Sequence, residues 1–115
     1  MTTKLNVVFG RVFKRNIKRL AKKYPNIRRD VSTITDRLAR GETPGDQIIG
    51  TGYTVYKVRV ANSDAQRGTR GGYRIIYYIH LPTLLLLVTI YTKSQQEDIS
   101  PDELRGITEE EINNL

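Results

Sequence analysis

Residues 53–91 read YTVYKVRVA, NSDAQRGTRG, GYRIIYYIH, LPT and LLLLVTIY in succession, and the fold follows from this stretch. Tyr53–Ala61 alternates with a period of two: Tyr56, Val58 and Val60 fall on one face of a strand, Lys57 and Arg59 on the other. Gly72–His80 is a second strand, rich in tyrosine and isoleucine. Leu81-Pro82-Thr83 is a turn, and Leu84–Tyr91 is a third strand, apolar on both faces and therefore expected to be central. Consecutive strands with short connections favour antiparallel pairing. The Asn62–Gly71 connection is about twice the usual hairpin length of 2–5 residues, a feature common in functional loops. It carries Arg67 and Arg70.

Side-chain parity places the chemistry. Lys57 and Arg59 are two residues apart on one strand, so both leave the same face, about 6.6 Å apart. On the next strand Tyr73, Ile75, Tyr77 and Ile79 form a wholly apolar or aromatic set, which belongs to the core. Arg74 is thereby placed on the open face with Lys57 and Arg59, and Tyr78 and His80 share its parity. On the third strand Leu84, Leu86, Val88 and Ile90 share one parity, Thr89 and Tyr91 the other. Tyr91 is expected to look outward, with Lys93 just past the strand end. The expected constellation is Lys57, Arg59, Arg74, Lys93 and the hydroxyls of Tyr78 and Tyr91, rimmed by Arg67 and Arg70. Guanidinium groups grip phosphate oxygens bidentately. Cleavage of RNA by its own 2′-hydroxyl builds negative charge that such fixed cations stabilise, and a lysine crowded by cations can act as a base. The same parity also suits a solvated sheet face protected from aggregation by its charges.

Upstream, Leu5–Phe9 is a short strand. Phe13, Ile17, Leu20 and Tyr24 recur at helical spacing, and Tyr24-Pro25 closes that helix. Ile27, Val31, Ile34 and Leu38 mark a second helix, stopped by Gly41. Lys18 and Lys22 lie on the basic face of the first helix, which offers a second RNA-contacting surface. Glu42–Gly52 reads as a glycine- and proline-marked loop. In the tail, Ser100 with Glu103 and Thr108 with Glu111 each match a helix-initiating capping box, with Pro101 at a first helical position. The order β-α-α-β-β-β-α describes an α+β fold: an N-terminal helical hairpin on one side of an antiparallel or mixed sheet of about four strands, followed by short C-terminal helices. At 115 residues the chain is expected to form one domain.

Composition narrows the chemistry further. With no cysteine, a disulfide framework, thiol catalysis and cysteine-ligated zinc are excluded. One histidine, His80, cannot form a two-histidine acid–base pair, and the carboxylates sit in cap positions rather than at metal-ligand spacing. No metal and no cofactor are expected. No apolar run has signal-peptide or membrane-spanning length, so a cytoplasmic protein is expected. The net charge is +7, but residues 1–93 carry +13 and residues 94–115 carry −6. A body this positive calls for a polyanion or an acidic partner.

Four segments carry a resemblance. They are Ile49-Gly50-Thr51-Gly52, Tyr56-Lys57-Val58-Arg59-Val60-Ala61, Arg70-Gly71-Gly72-Tyr73-Arg74-Ile75-Ile76-Tyr77-Tyr78 and Leu87-Val88-Thr89-Ile90-Tyr91-Thr92-Lys93. Together they resemble HigB-like members of the RelE/ParE toxin superfamily over roughly residues 42–99, and the helical hairpin agrees in order and polarity. The resemblance implies the toxin of a type II toxin–antitoxin system, a ribosome-dependent, metal-independent endoribonuclease that cuts mRNA and is held inactive by an antitoxin. It assigns phosphate-binding and acid–base roles to Lys57, Arg59 and Arg74, and by extension to Lys93. Where RelE carries an arginine and a tyrosine after the last strand, this chain has Ser94 and Ser100; Tyr91 and Tyr78 are the available substitutes. Two other readings stay open at this point, a ParE-like inhibitor of DNA gyrase without nuclease activity and a nonenzymatic RNA-binding module.

Overall fold

The structure, a computed structural model, describes residues 5–65, 72–80, 83–95 and 99–115. Its elements run β1 (Asn6–Phe9), α1 (Arg11–Ala21), α2 (Ile27–Ala39), β2 (Asp46–Gln47), β3 (Val55–Val60), β4 (Tyr73–His80), β5 (Leu84–Thr92) and α3 (Pro101–Asn113). The strands form one mixed sheet in the order β1-β5-β4-β3-β2; β1 is parallel to β5 and the other pairs are antiparallel. Among the described residues the sheet has five strands, in keeping with the expected sheet of about four. The additional one, β2, is two residues inside the stretch expected to be loop, too short for any periodicity to reveal it.

The helical hairpin covers one face of the sheet, as its apolar spacing requires. Phe13, Ile17 and Leu20 of α1 and Ile27, Val31, Ile34 and Leu38 of α2 are buried against Val58, Val60, Tyr73, Ile75, Tyr77, Leu85, Leu87 and Ile90. Each such side chain contributes about 1.5–3 kcal/mol on burial. Asn16 of α1 is a buried polar residue on this seam. Its Nδ2 donates to Thr89 Oγ1 and to the Ile90 carbonyl, both at 3.1 Å, which ties α1 to β5.

Strand β5 is bulged. Ile76 pairs with Thr89 but Tyr77 pairs with Leu87, so Val88 is an additional residue in β5. Strict alternation breaks there. Ile90 joins Leu85 and Leu87 under the hairpin, whereas Leu86, Val88 and Tyr91 lie on the opposite face. The expected common parity of Leu84, Leu86, Val88 and Ile90 is corrected accordingly.

That opposite face is not open. Leu104 of α3, with Ile99 before it and Ile107 packed alongside, covers Val55, Ile76, Leu86, Val88 and Tyr91 in a second apolar cluster. Helices therefore lie on both sides of the sheet, and the tail forms one helix of 13 residues. Ser100 caps it, its hydroxyl accepting the Glu103 N–H at 3.2 Å. The second capping box starts no helix. Thr108 lies inside α3 and donates to the Leu104 carbonyl at 2.8 Å. Glu111 instead caps a different helix: its carboxylate accepts the Arg11 N–H at 3.1 Å and the Val12 N–H at 2.8 Å. The residue before α1 is Gly10, which has no side chain to offer those orphan donors. Glycine is needed there, because a Cβ would lie 2.7 Å from the Leu87 carbonyl oxygen and 3.3 Å from the Glu111 carboxyl. Among the described residues no helix is long and apolar enough to cross a membrane.

Candidate functional site

Beside the start of α3, a cavity of about 530 Å³ opens on the α3 side of the sheet. Its walls come from β2 and the residues flanking it (Gly45 to Ile48), from Lys57 and Arg59 of β3, and from Ile99 and Pro101 at the start of α3. Alternation along β3 explains the cations: with Val58 and Val60 committed to the hairpin core, Lys57 and Arg59 must leave the other face. Gly45 lets β2 lie against them. It has φ +93°, and a Cβ there would overlap the Lys57 carbonyl. Asp46 is consequently in register with Lys57, which puts one exposed carboxylate at the edge of a cationic cavity.

Arg74 is on the same face as Lys57 and Arg59, since Arg59 pairs with Arg74 and Lys57 pairs with Ile76, two residues further along β4. It does not lie in the open, as its parity alone would place it. Arg74 is only 5% exposed, and its Nη1 donates to the Gly72 carbonyl at 3.0 Å. Tyr91 follows in the same row, paired with Arg74. It too is buried rather than outward-facing, under the cluster that α3 completes. Arg59, Arg74 and Tyr91 thus form a line across three strands, of which Arg59 alone is exposed. Arg74 is a buried guanidinium beside Arg59, on the neighbouring strand.

The remaining expected residues scatter. Lys93 is exposed in the turn that follows β5. Tyr78, half-buried, lies toward the other end of β4, opposite Val55. Its hydroxyl is 3.2 Å from His80 Nδ1, and its ring meets Tyr53 edge-on at 5.5 Å. Burial, and then the Glu109 carboxylate, raise the Tyr53 pKa above the ordinary phenol value. Lys18, on α1, and Lys22, just past its C-terminal end, are exposed in the layer across the sheet from the cavity. Lys18 borders a separate groove of about 400 Å³ between α1 and α2. Arg67 and Arg70 lie outside the described residues. The first part of their loop is moored to α2: the Ser63 N–H and hydroxyl donate to Asp30 at 2.9 and 3.0 Å, and Asn26 donates twice to Asp64.

Several participants escaped sequence reasoning. The glycines and proline of the Glu42–Gly52 segment were its visible signal; Gly45, Gly50 and Gly52 all have positive φ. Nothing in the sequence marked Ile99 and Pro101 as cavity walls. Among the described residues no group of three or more acidic, histidine or cysteine side chains is arranged to hold a metal. What the cavity offers is two cations converging on one open volume, with a third cation behind them, an arrangement suited to holding a phosphodiester.

Comparison with curated protein sequences finds no significant match. The profile of one protein family, described as the RelE toxin of the RelE/RelB toxin–antitoxin system, matches residues 10–112. That span takes in the helical hairpin, the cationic cavity and nearly all of α3, and the chain belongs to the RelE toxin family.

Proposed function

We propose that the protein is a ribosome-dependent mRNA endoribonuclease that works in the cytoplasm, without a metal ion or cofactor, and is neutralised by a cognate antitoxin. The observation that carries this reading is the pairing of Lys57 and Arg59 on one cavity wall, with Arg74 in register behind Arg59. In the reaction the 2′-oxygen of a nucleotide attacks the adjacent phosphorus. A 2′-oxygen–phosphorus bond forms and the phosphorus–5′-oxygen bond breaks, leaving a 2′,3′-cyclic phosphate and a 5′-hydroxyl. Arg59 holds the nonbridging oxygens, on which charge grows at the transition state. Lys57 is assigned to take the 2′-hydroxyl proton, and the departing 5′-oxygen is protonated by water. Arg74, in register with Arg59 on the next strand, is assigned to supporting it. Arg67, Arg70, Lys93 and Tyr78 are assigned to the flanking RNA, and Lys18 and Lys22 to ribosomal contact.

Messenger RNA incubated with translating ribosomes and the protein should be cut to products ending in cyclic phosphate, and Lys57→Ala and Arg59→Ala should each abolish the cuts. Intact transcripts in the presence of active wild-type protein would refute the reading. DNA breaks in their place would select gyrase inhibition.

A further inference from the structure

Only three residues of α3 are buried: Leu104, Thr108 and Glu111. Thr108 spends its hydroxyl inside the helix, on the Leu104 carbonyl. Leu104 holds α3 to the sheet by apolar contact, which is non-directional and tolerates sliding. Glu111 differs from both. It is 4% exposed, and its two oxygens accept from two successive backbone N–H groups of α1, at 3.1 and 2.8 Å. Paired bonds of this kind fix the rotation of α3 about its axis as well as its displacement along it. They also place a carboxylate at the positive end of α1. Ten residues earlier, about 15 Å along the helix, Pro101 and the preceding Ile99 form one wall of the Lys57–Arg59 cavity.

We infer that Glu111 is a positioning residue: by closing the N-terminus of α1 it sets where the opposite end of α3 stands against Lys57 and Arg59. This rests on the reading of that cavity as the site of RNA cleavage. Glu111 touches neither substrate nor reacting atoms, and it acts through the rigidity of α3. Gly10 belongs to the same device, since its missing Cβ lets the carboxyl approach.

The test compares full-length wild type, Glu111→Ala and Glu111→Gln by backbone amide NMR and by ribosome-dependent cleavage kinetics, at a temperature where circular dichroism shows each protein folded. In Glu111→Ala the amide signals of Ile48, Lys57 and Arg59 should shift along with those of Arg11 and Val12. Its kcat/KM should fall by about 10- to 100-fold, the range for a small misplacement in a catalytic site, with most of the loss in kcat. Glu111→Gln keeps one acceptor oxygen and should recover part of the rate; it also serves as the test protein if the alanine variant fails to fold. Signal changes confined to the neighbourhood of Gly10, or wild-type kinetics in both variants, would overturn the inference. Should the wild type cleave nothing, the nuclease reading fails while the NMR comparison still decides whether Glu111 positions the cavity.

Discussion

Alanine in place of Gly10 and alanine in place of Gly106 should change stability in opposite directions, and the structure sets both magnitudes. Gly106 lies inside α3, exposed, with nothing within 4 Å of the position a Cβ would take. Alanine there should stabilise the protein by about 0.8–1 kcal/mol, the difference in helix propensity. Gly10 has φ −68°, ψ 164°, backbone that alanine can adopt, so conformation alone gives no penalty. Restricting the unfolded chain favours alanine by about 0.4–1 kcal/mol, and alanine's poorer performance as an N-cap roughly cancels this. Contact then decides. A Cβ lying 2.7 Å from the Leu87 oxygen must displace the strand end or α3. The displacement weakens the Gly10 N–H bond to that oxygen, now 2.9 Å, and strains the two bonds to Glu111. A neutral bond contributes about 1 kcal/mol and a charge-assisted one about 1.5–3 kcal/mol, so a net loss of about 2–4 kcal/mol is expected. Urea denaturation followed by circular dichroism measures both variants. In a chain of this size the Gly10 loss should lower Tm by roughly 8–16 °C. A Gly10→Ala midpoint within about 0.5 kcal/mol of wild type, the scatter of ordinary surface substitutions, would refute the close packing of α1, β5 and Glu111.

Asp30→Ala should destabilise by about 2–4 kcal/mol, because it removes the acceptor of two bonds from Ser63 and leaves a backbone N–H without its partner; urea midpoints measure this, and a loss below about 0.5 kcal/mol would contradict the mooring. Tyr73 and Tyr77 are fully buried, and burial raises the pKa of both phenols well above the ordinary value. Because folding raises these pKa values, the associated stability is complete below the unfolded phenol pKa of about 10 and is lost as pH rises past it. Ultraviolet titration should therefore show these two among the seven tyrosines ionising only as the protein unfolds; early, reversible ionisation of all seven would show the core to be open. Glu42 shifts in the other direction: a hydrogen bond from Arg37, joined by Arg40, holds its carboxyl below the ordinary value. Its contribution is present above the unfolded carboxyl pKa and disappears as pH falls, and Glu42→Gln should remove that acid sensitivity while changing neutral-pH stability little, since the group is exposed.

The sequence made the hairpin core legible because α1, α2, β3 and β4 obey their periods. Phe13, Ile17 and Leu20, the tyrosine–isoleucine set of β4, and the alternation that puts Lys57 and Arg59 opposite Val58 and Val60 all appear where spacing placed them. Three features were not legible, each for a physical reason. The bulge at Val88 adds one residue to a strand that is apolar on both faces, so no polar marker betrays the change of parity. The cover over Tyr91 comes from α3, and long-range packing leaves no local trace in the chain. The capping-box spacing of Thr108 and Glu111 is a correct local pattern that tertiary structure overrides, directing the carboxylate to a helix start 99 and 100 residues away.

Sequencing and end-group analysis of the products formed when the purified protein meets mRNA on programmed ribosomes tests the central claim most directly. Cuts carrying 2′,3′-cyclic phosphate and 5′-hydroxyl ends, lost together in Arg59→Ala, are the expected result. Undiminished cutting by a folded Arg59→Ala variant, or fragments with 5′-phosphate ends, would contradict the assignment of the β3 cavity as the place where the phosphodiester is held and broken.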